Sequence, residues 1–255
     1  MRYNDDMKYE LKDKVVLITG GAMGLGKDLV EQAAQKGAKV VFCDIADMQG
    51  KQLELQLIAS GYDALYYHCN VADYTQVEEM FDFIMEKYGK IQVLINNAAK
   101  QTVASIEKMG YEEFKSVIDV NLNGAFYCMK NAAKHMVEHS VIMNILSIYW
   151  SERAREDKYH YDAAKAGLGS LTRNFAKALG RKGISVNGIY PGFLMTPMNG
   201  EIQGEELEKS LAKNKLAHTD ASTSAGFAEY VLSYIEYFSH GVTGQVIGVD
   251  AGRTL

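Results

Sequence analysis

Seven short apolar runs, separated by stretches of helical pattern, constrain this chain more than any other feature. The runs fall at 15–19, 40–44, 64–69, 93–96, 141–147, 184–190 and 245–249. They are apolar on both faces, as strands covered from both sides must be. The stretches 25–36, 48–60 and 73–88 between them are each followed by a glycine: Gly37, Gly61 and Gly89. A glycine there can take the left-handed conformation that closes a helix. Asp73 is placed to cap the third of these helices. Longer helical patterns cover 111–135 and 161–179. Repeated strand–helix units predict an α/β chain: a doubly wound parallel sheet with helices on both faces.

No Pro/Ser-rich linker or internal repeat divides the chain, so 12–255 is expected to form one domain. Residues 1–11 read as a flexible arm. The segment of about 193–224 breaks the alternation and reads as a small lid, with Met198, Ile202, Leu207 and Leu211 near helical spacing. A formal net charge of −5 over 255 residues argues against a nucleic-acid partner, which favours a basic face. Cys43, Cys69 and Cys128 form no CxxC pair and are expected as free, buried thiols. The histidines show no metal-ligand spacing, so no metal is expected. With no apolar leader and no span-length apolar run, the chain is expected to be soluble and cytoplasmic, without a membrane partner.

The first strand runs into Thr19-Gly20-Gly21-Ala22-Met23-Gly24-Leu25-Gly26, where a helix starts. Glycines let backbone approach a pyrophosphate, and a helix N-terminus offers it free amides and partial positive charge. Asp44 ends the second strand, about 20 residues on, where a carboxylate accepts bonds from the adenosine ribose. These features predict a Rossmann-type fold. Beside Asp44, a 2′-phosphate would suffer repulsion on the order of 1–4 kcal/mol at about 4 Å. Position 45 is Ile45 rather than a basic residue, and Met23 occupies the turn, so NAD is expected over NADP.

Tyr161 and Lys165 lie four apart at the start of a helix and share one face. An ammonium beside a phenol favours phenolate. Lowering a tyrosine pKa by about 3 units takes roughly 4 kcal/mol of differential interaction. Ser147 ends the fifth apolar run, at the sheet edge where ligands sit in such folds. Asn96 and Asn97 end the fourth run at the same edge. Asn121, beside Gly124 within a helical stretch, predicts a kink or a buried network.

In this order and spacing the motifs resemble the short-chain dehydrogenase/reductase family, over about 14–252. The matching parts are the 19–26 turn, Asn96-Asn97-Ala98, Asn121, Ser147, Tyr161-xxx-Lys165, the 186–192 stretch and Thr243-Gly244 with Asp250-Ala251-Gly252. The resemblance implies an oxidoreductase acting on a secondary alcohol or ketone. It makes Tyr161 the general acid/base, and Lys165 the group that tunes it and holds the nicotinamide ribose. Ser147 would orient the substrate oxygen, and Asn121 would hold a water in a proton relay. It implies cofactor contacts at Gly20, Met23, Gly24, Leu25, Gly26, Asp44, Ile45, Asn70, Val71, Asn97, Ala98, Ala99, Tyr161, Lys165, Pro191, Gly192, Leu194 and Thr196. The chain departs from the family pattern at Asn70, where Asp is frequent, and at Ala99 and Ala251, where glycine is common. Leu146 stands for a common serine, and 218–224 lacks a frequent Pro-Glu-Glu.

Lys100-Gln101-Thr102 and the 148–160 stretch, with Tyr149, Trp150 and His160, are the candidates for the substrate side. An aromatic pair there suits a ring-bearing or polar substrate such as a sugar, polyol or hydroxysteroid. Arg153 or Arg155 could pair with an anionic group. Apolar residues on several faces of 111–135 and 161–179 suggest a homodimer or homotetramer. Two alternatives compete: an NADPH-dependent 3-oxoacyl-carrier-protein reductase, and a non-catalytic dinucleotide sensor. Asp44 disfavours the first, and an intact Asn121, Ser147, Tyr161 and Lys165 disfavours the second.

Overall fold

The computed structural model describes residues 9–151, 155–194, 205, 208–209, 212–213, 216 and 223–255. The strands are β1 (Val15–Thr19), β2 (Lys39–Asp44), β3 (Ala64–His68), β4 (Val93–Asn96), β5 (Val141–Ile145), β6 (Ser185–Pro191) and β7 (Val246–Val249). Their order is β3-β2-β1-β4-β5-β6-β7, and every neighbouring pair is parallel. The chain steps outward from β1 to β3, then returns to place β4 against the other side of β1. The strand order therefore reverses between β1 and β4, the place where an open parallel sheet leaves a crevice at its carboxyl edge.

Alternation along each strand builds two cores. Val16 and Ile18 face one layer, with Leu29 and Val30 of α1 (Gly24–Gln35), Leu53 of α2 (Asp47–Ala59) and Phe227 of α7 (Ser224–Phe238). Val15 and Leu17 face the other, with Phe81 of α3 (Tyr74–Tyr88), Met129 of α5 (Ala125–His135) and Leu168 of α6 (Tyr159–Leu179). All of β1 is buried, and each such apolar side chain stabilises the fold by about 1.5–3 kcal/mol.

The Asp73 cap forms: its carboxylate accepts from Thr75 N at 2.9 Å and Gln76 N at 3.4 Å. Gly89 closes α3 in the left-handed conformation, at φ 68°. The helical pattern at 111–135 is not one helix. It splits into α4 (Tyr111–Ile118), a π-helical turn (Asp119–Gly124) and α5, with Asn121 in the turn. A π turn is a recognised cause of a helix kink.

Several boundaries differ from the sequence reading. β5 stops at Ile145, so Ser147 lies two residues past the strand, opening a 3₁₀ turn (Ile148–Trp150). Tyr9 and Leu11, expected within a flexible arm, are buried at 5% and 1% exposure, because both side chains join the core beside α7. The lid expectations at Met198, Ile202, Leu207 and Leu211 lie outside the described residues. All three cysteines are buried and free. Among the described residues, no helix is long and apolar enough to cross a membrane.

Candidate active site

The β1–α1 turn is built from backbone. Gly20 is left-handed at φ 65°, and a Cβ there would stand 2.7 Å from the Ala98 Cα. A Cβ on Gly26 would overlap the Gly20 carbonyl oxygen. Only glycine therefore lets α1 start this close to β4. No side chain caps the α1 N-terminus, which leaves its first amides available to an anion. Asn97 fastens the turn from the far side of the switch point: Nδ2 donates to the Thr19 and Gly20 carbonyls at 3.0 and 2.9 Å. Thr19 Oγ1 accepts from Asn97 N and Ala98 N at 3.1 and 3.0 Å. Sequence reasoning missed this threonine, because a strand-end Thr carries no spacing signal of its own.

Asp44 points across to this turn. Its carboxylate accepts from Ala22 N at 3.1 Å, Ile45 N at 2.8 Å and Ala46 N at 3.1 Å. Met23 and Ile45 are exposed at 46% and 65% on either side of it. Lys27, the basic group on α1 near the turn, pairs with Glu31 at 3.7 Å. Asn70 turns its amide oxygen back onto Ala72 N at 3.1 Å, and Val71 is buried beside it. Open helix amides, a turn that tolerates only glycine and a carboxylate at the second strand end fit a dinucleotide.

Across the switch point, Ser147, Tyr161 and Lys165 meet. The Ser147 hydroxyl lies near enough to the Tyr161 phenol to favour its ionised form. Ser147 Oγ also accepts from Tyr149 N at 3.4 Å. Lys165 Nζ donates to the Ile145 carbonyl at 2.8 Å and sits 5.6 Å from the Tyr161 ring centroid. Burial pushes Tyr161 up to about 12; the Ser147 hydroxyl pulls down, and Asp162 and Tyr149 push up. Burial also lowers Lys165 to about 8. Burial thus raises Tyr161 where a lowering by Lys165 was expected, and the Lys165 ammonium donates to a backbone carbonyl rather than to the phenol oxygen.

Asn121 is buried and bound on both ends of its amide. Its Nδ2 donates to the Lys100 and Val117 carbonyls at 2.7 and 2.8 Å, and its Oδ1 accepts from Lys100 N at 3.3 Å. Thr19, Asn96, Asn121 and Lys165 line a cavity of about 10 Å³, close to the minimum for one water. Asn96 Oδ1 is buried without a protein partner. Its Nδ2 donates to Asn144 Oδ1 at 2.8 Å, and Asn144 donates to Thr172 at 2.9 Å. The Asn within the apolar run 141–145 was the available signal for this network.

The substrate-side candidates fare unevenly. Tyr149 stays beside the Ser147–Tyr161 pair, with the Arg155 guanidinium 5.6 Å over its ring. Arg155 is already paired with Asp157, at 3.0 and 3.1 Å, which leaves it less free for an anionic group. Trp150 packs on Gly169 of α6, about two turns beyond Tyr161, and its ring lies 6.5 Å from Tyr190. That packing takes the ring away from the reacting pair, which corrects its pocket placement. Lys100 Nζ donates to Ser116 of α4 at 3.1 Å instead of lining a pocket. His160 is fully buried and so offers no surface to a substrate. Pro191, Gly192 and Leu194 follow one another at the end of β6, with Gly192 N donating to Val249 O at 3.4 Å. Ala99 continues the β4 edge after Ala98. Ala251 takes a left-handed φ of 54° where the family commonly has glycine. Thr196 and Arg153 lie outside the described residues. Among the described residues no three His, Cys, Asp or Glu side chains are grouped to hold a metal.

A family model described as "Enoyl-(Acyl carrier protein) reductase" matches residues 20–254. The 3-oxoacyl-[acyl-carrier-protein] reductase FabG of Thermotoga maritima is 33% identical, over 96% of this chain and 99% of its own. The chain belongs to the short-chain dehydrogenase/reductase family. A second family relative is the (2S)-[(R)-hydroxy(phenyl)methyl]succinyl-CoA dehydrogenase subunit BbsD of Thauera aromatica. It is 33% identical over 96% of this chain and 98% of its own. Among solved structures, a short chain dehydrogenase from Bacillus anthracis superposes with a TM-score of 0.85 at 28% identity, covering 96% of this chain and 98% of its own. A blue fluorescent protein from a metagenomic library, in complex with NADPH, superposes with a TM-score of 0.89 at 27% identity, covering 97% and 100%. As a short-chain dehydrogenase/reductase, the chain is an oxidoreductase with a Rossmann-type sheet that takes a nicotinamide dinucleotide.

Proposed function

We propose that this short-chain dehydrogenase/reductase interconverts a secondary alcohol and a ketone with NAD(H), using Tyr161 as general acid/base. The observation that carries this reading is the Tyr161–Ser147 hydroxyl pair, with Lys165 one helical turn away, beside the β1/β4 crevice. The Gly20–Gly26 turn, Asp44, Asn97, Lys165, Pro191, Gly192 and Leu194 would hold the cofactor, which supplies or accepts the hydride. Ser147 holds the substrate oxygen. Tyr161 gives it a proton in reduction and takes one in oxidation. A water in the cavity among Asn96, Asn121 and Lys165 would pass that proton onward. A buried phenol pushed up to about 12 stays protonated at neutral pH, which favours proton donation to a ketone.

The preference for NAD rests on Asp44 and on Met23 and Ile45 where a basic residue would meet a 2′-phosphate. The ring-bearing substrate now rests on Tyr149 alone, since Trp150 packs elsewhere. Oligomer formation through α5 and α6 keeps Phe126, which is 37% exposed and 6.0 Å from Phe175. Ala125, Met129, Leu168 and Leu179 of those helices are used by the core of the same subunit. Sedimentation at micromolar concentration tests a dimer or tetramer, and a monomer would count against it.

The names of the relatives favour a second reading, reduction of a 3-oxoacyl thioester with NADPH. One panel separates the two: sugars, polyols, hydroxysteroids, their ketones and acetoacetyl-coenzyme A, each assayed with both cofactors by absorbance. Turnover of a polyol or cyclic ketone with NAD(H) supports the first reading. NADPH-selective reduction of acetoacetyl-coenzyme A alone would replace it with the second.

A further inference from the structure

His160 immediately precedes Tyr161, and its ring is wholly buried. Nδ1 accepts the Tyr161 backbone N–H at 2.8 Å. Tyr161 lies in the first turn of α6, where amides have no partner within the helix. Because Nδ1 accepts, a neutral ring must carry its proton on Nε2. Nε2 lies 2.7 Å from Thr102 Oγ1, so it donates there. Thr102 stands two residues after Lys100, whose N–H and carbonyl both bond the Asn121 amide. Ala104 N adds a bond to the Asp157 carbonyl at 3.0 Å. The 100–104 strand of loop is thus tied at one end to the π turn and at the other to the start of α6.

We propose that His160 is a positioning residue: as a neutral Nε2–H imidazole it locks the Tyr161 backbone to the 100–104 loop, and through that loop to Asn121. This rests on the reading of Tyr161 as the acid/base. The chain of bonds links two of the residues assigned to proton transfer without passing through the site itself. It fixes how far the Tyr161 phenol reaches toward Ser147, a distance on which proton transfer depends steeply.

Protonation breaks the lock. An imidazolium carries N–H on both nitrogens, so Nδ1–H would face the Tyr161 N–H, donor against donor. Burial lowers the His160 pKa. Glu113 of α4, 4.0 Å from Nε2, and the backbone of Lys158 oppose this, whereas the Lys158 ammonium adds to it by charge. The Phe114 ring covers another side at 6.2 Å. Because the folded pKa lies below the unfolded value, the lock is complete above about pH 6.5 and is lost as pH falls through the lower folded value. Asp162, raised by burial to about 6, titrates nearby and must be separated from it.

Long-range ¹⁵N spectra of the histidine rings test the lock without any substrate, with His160→Phe identifying the signal. The expected pattern at neutral pH is neutral, protonated on Nε2, moved by Thr102→Val and persisting to lower pH than in the exposed histidines. A pattern protonated on Nδ1, or an imidazolium, overturns the proposal. With the ketone reduced fastest in the panel, His160→Phe and Thr102→Val should each lower kcat about tenfold. NADH binding should be unchanged, and the double variant should be no worse than either single one. The acid limb of the wild-type kcat profile should survive Asp162→Asn and vanish in His160→Phe. If His160→Phe fails to fold, Thr102→Val, which leaves the ring in place, still decides. Unchanged kcat in Thr102→Val overturns the proposal. Tyr161→Phe is run alongside: if it keeps turnover, the acid/base reading fails, whereas loss there with no effect at Thr102 sinks the positioning role alone.

Discussion

The two sides of the switch point are made of different materials. On the β1–α1–β2 side, the surface offered to the cofactor is mainly backbone: a glycine turn, open helix amides and one carboxylate held by three N–H groups. On the β5–α6 side, it is side chains brought from separate elements: Ser147 after β5, Tyr161 and Lys165 on α6, Asn121 in a π turn and Thr102 in a loop. A site of backbone depends on local spacing. A site of side chains depends on which distant residues pack together. The first tolerates change in most neighbours, and the second is sensitive to each member.

The sharpest test of that contrast is Tyr161→Phe, which leaves the ring and removes the transferable proton. Turnover should fall by about 10²–10⁴, while NADH affinity, followed by fluorescence, stays at the wild-type value. In the intact protein, oxidation consumes phenolate, and below its pKa the phenolate fraction rises about tenfold per pH unit. Oxidation should therefore climb with pH across the neutral range. An oxidation rate flat from about pH 7 to about pH 9, or a Tyr161→Phe variant near normal turnover, contradicts the assignment.

Trp150 is where the sequence reading of the side-chain half fell short. A lone tryptophan in the stretch between Ser147 and Tyr161 looks like a ring for a substrate. Nothing local announces that Gly169, nineteen positions later, leaves the space it fills. His160 was placed in the pocket for the same reason, and its partner Thr102 lies in another loop. By contrast the glycine turn, the Asp44 strand end and the Tyr161–Lys165 spacing were legible, because each is set by neighbours within a turn or a strand end. The buried network at Asn121 was legible as well, through a polar residue in an apolar helix, but the loop it holds was not. Trp150→Ala should cost about 2–3 kcal/mol in chemical denaturation, below the range for a fully buried tryptophan because the ring is partly exposed. KM for the ketone should not move. A raised KM at unchanged stability would return Trp150 to the pocket.

Asp44 probes the backbone half, where the proposed selection of NAD rests on one charge. Wild type should prefer NADH over NADPH in kcat/KM by at least about tenfold, equivalent to about 1.4 kcal/mol. Asp44→Ala should erode that preference, but it also frees the Ala22, Ile45 and Ala46 amides. Asp44→Asn keeps an acceptor oxygen and removes the charge. Erosion in both variants assigns selection to charge. Erosion in the alanine variant alone assigns it to the geometry of the turn. Equal efficiency with both cofactors in wild type refutes the role of Asp44 altogether.

The smallest expected effect falls on a side chain that supports the cofactor half from outside. Asp73 caps α3, and its second oxygen accepts from Gln76 Nε2 at 3.1 Å, while Gln76 Oε1 accepts from Asn70 N at 2.9 Å. Asn70 follows β3 on the cofactor edge, and Asp73 N also donates to its carbonyl at 2.9 Å, so cap and edge are joined by three bonds. Asp73→Ala removes the acceptor for two helix amides and should cost about 1 kcal/mol. In a chain of this size that lowers Tm by roughly 2–4 °C. Asp73→Asn should restore most of it, because an amide oxygen caps nearly as well as a carboxylate. NADH affinity should change little in either variant, since the turn that meets the dinucleotide is held by Asn97 and Thr19 rather than by Asn70. A large loss of NADH binding in Asp73→Ala at nearly unchanged Tm would mean that the Asn70 edge, a side-chain assembly, governs cofactor binding. The division between a backbone half and a side-chain half would then fail.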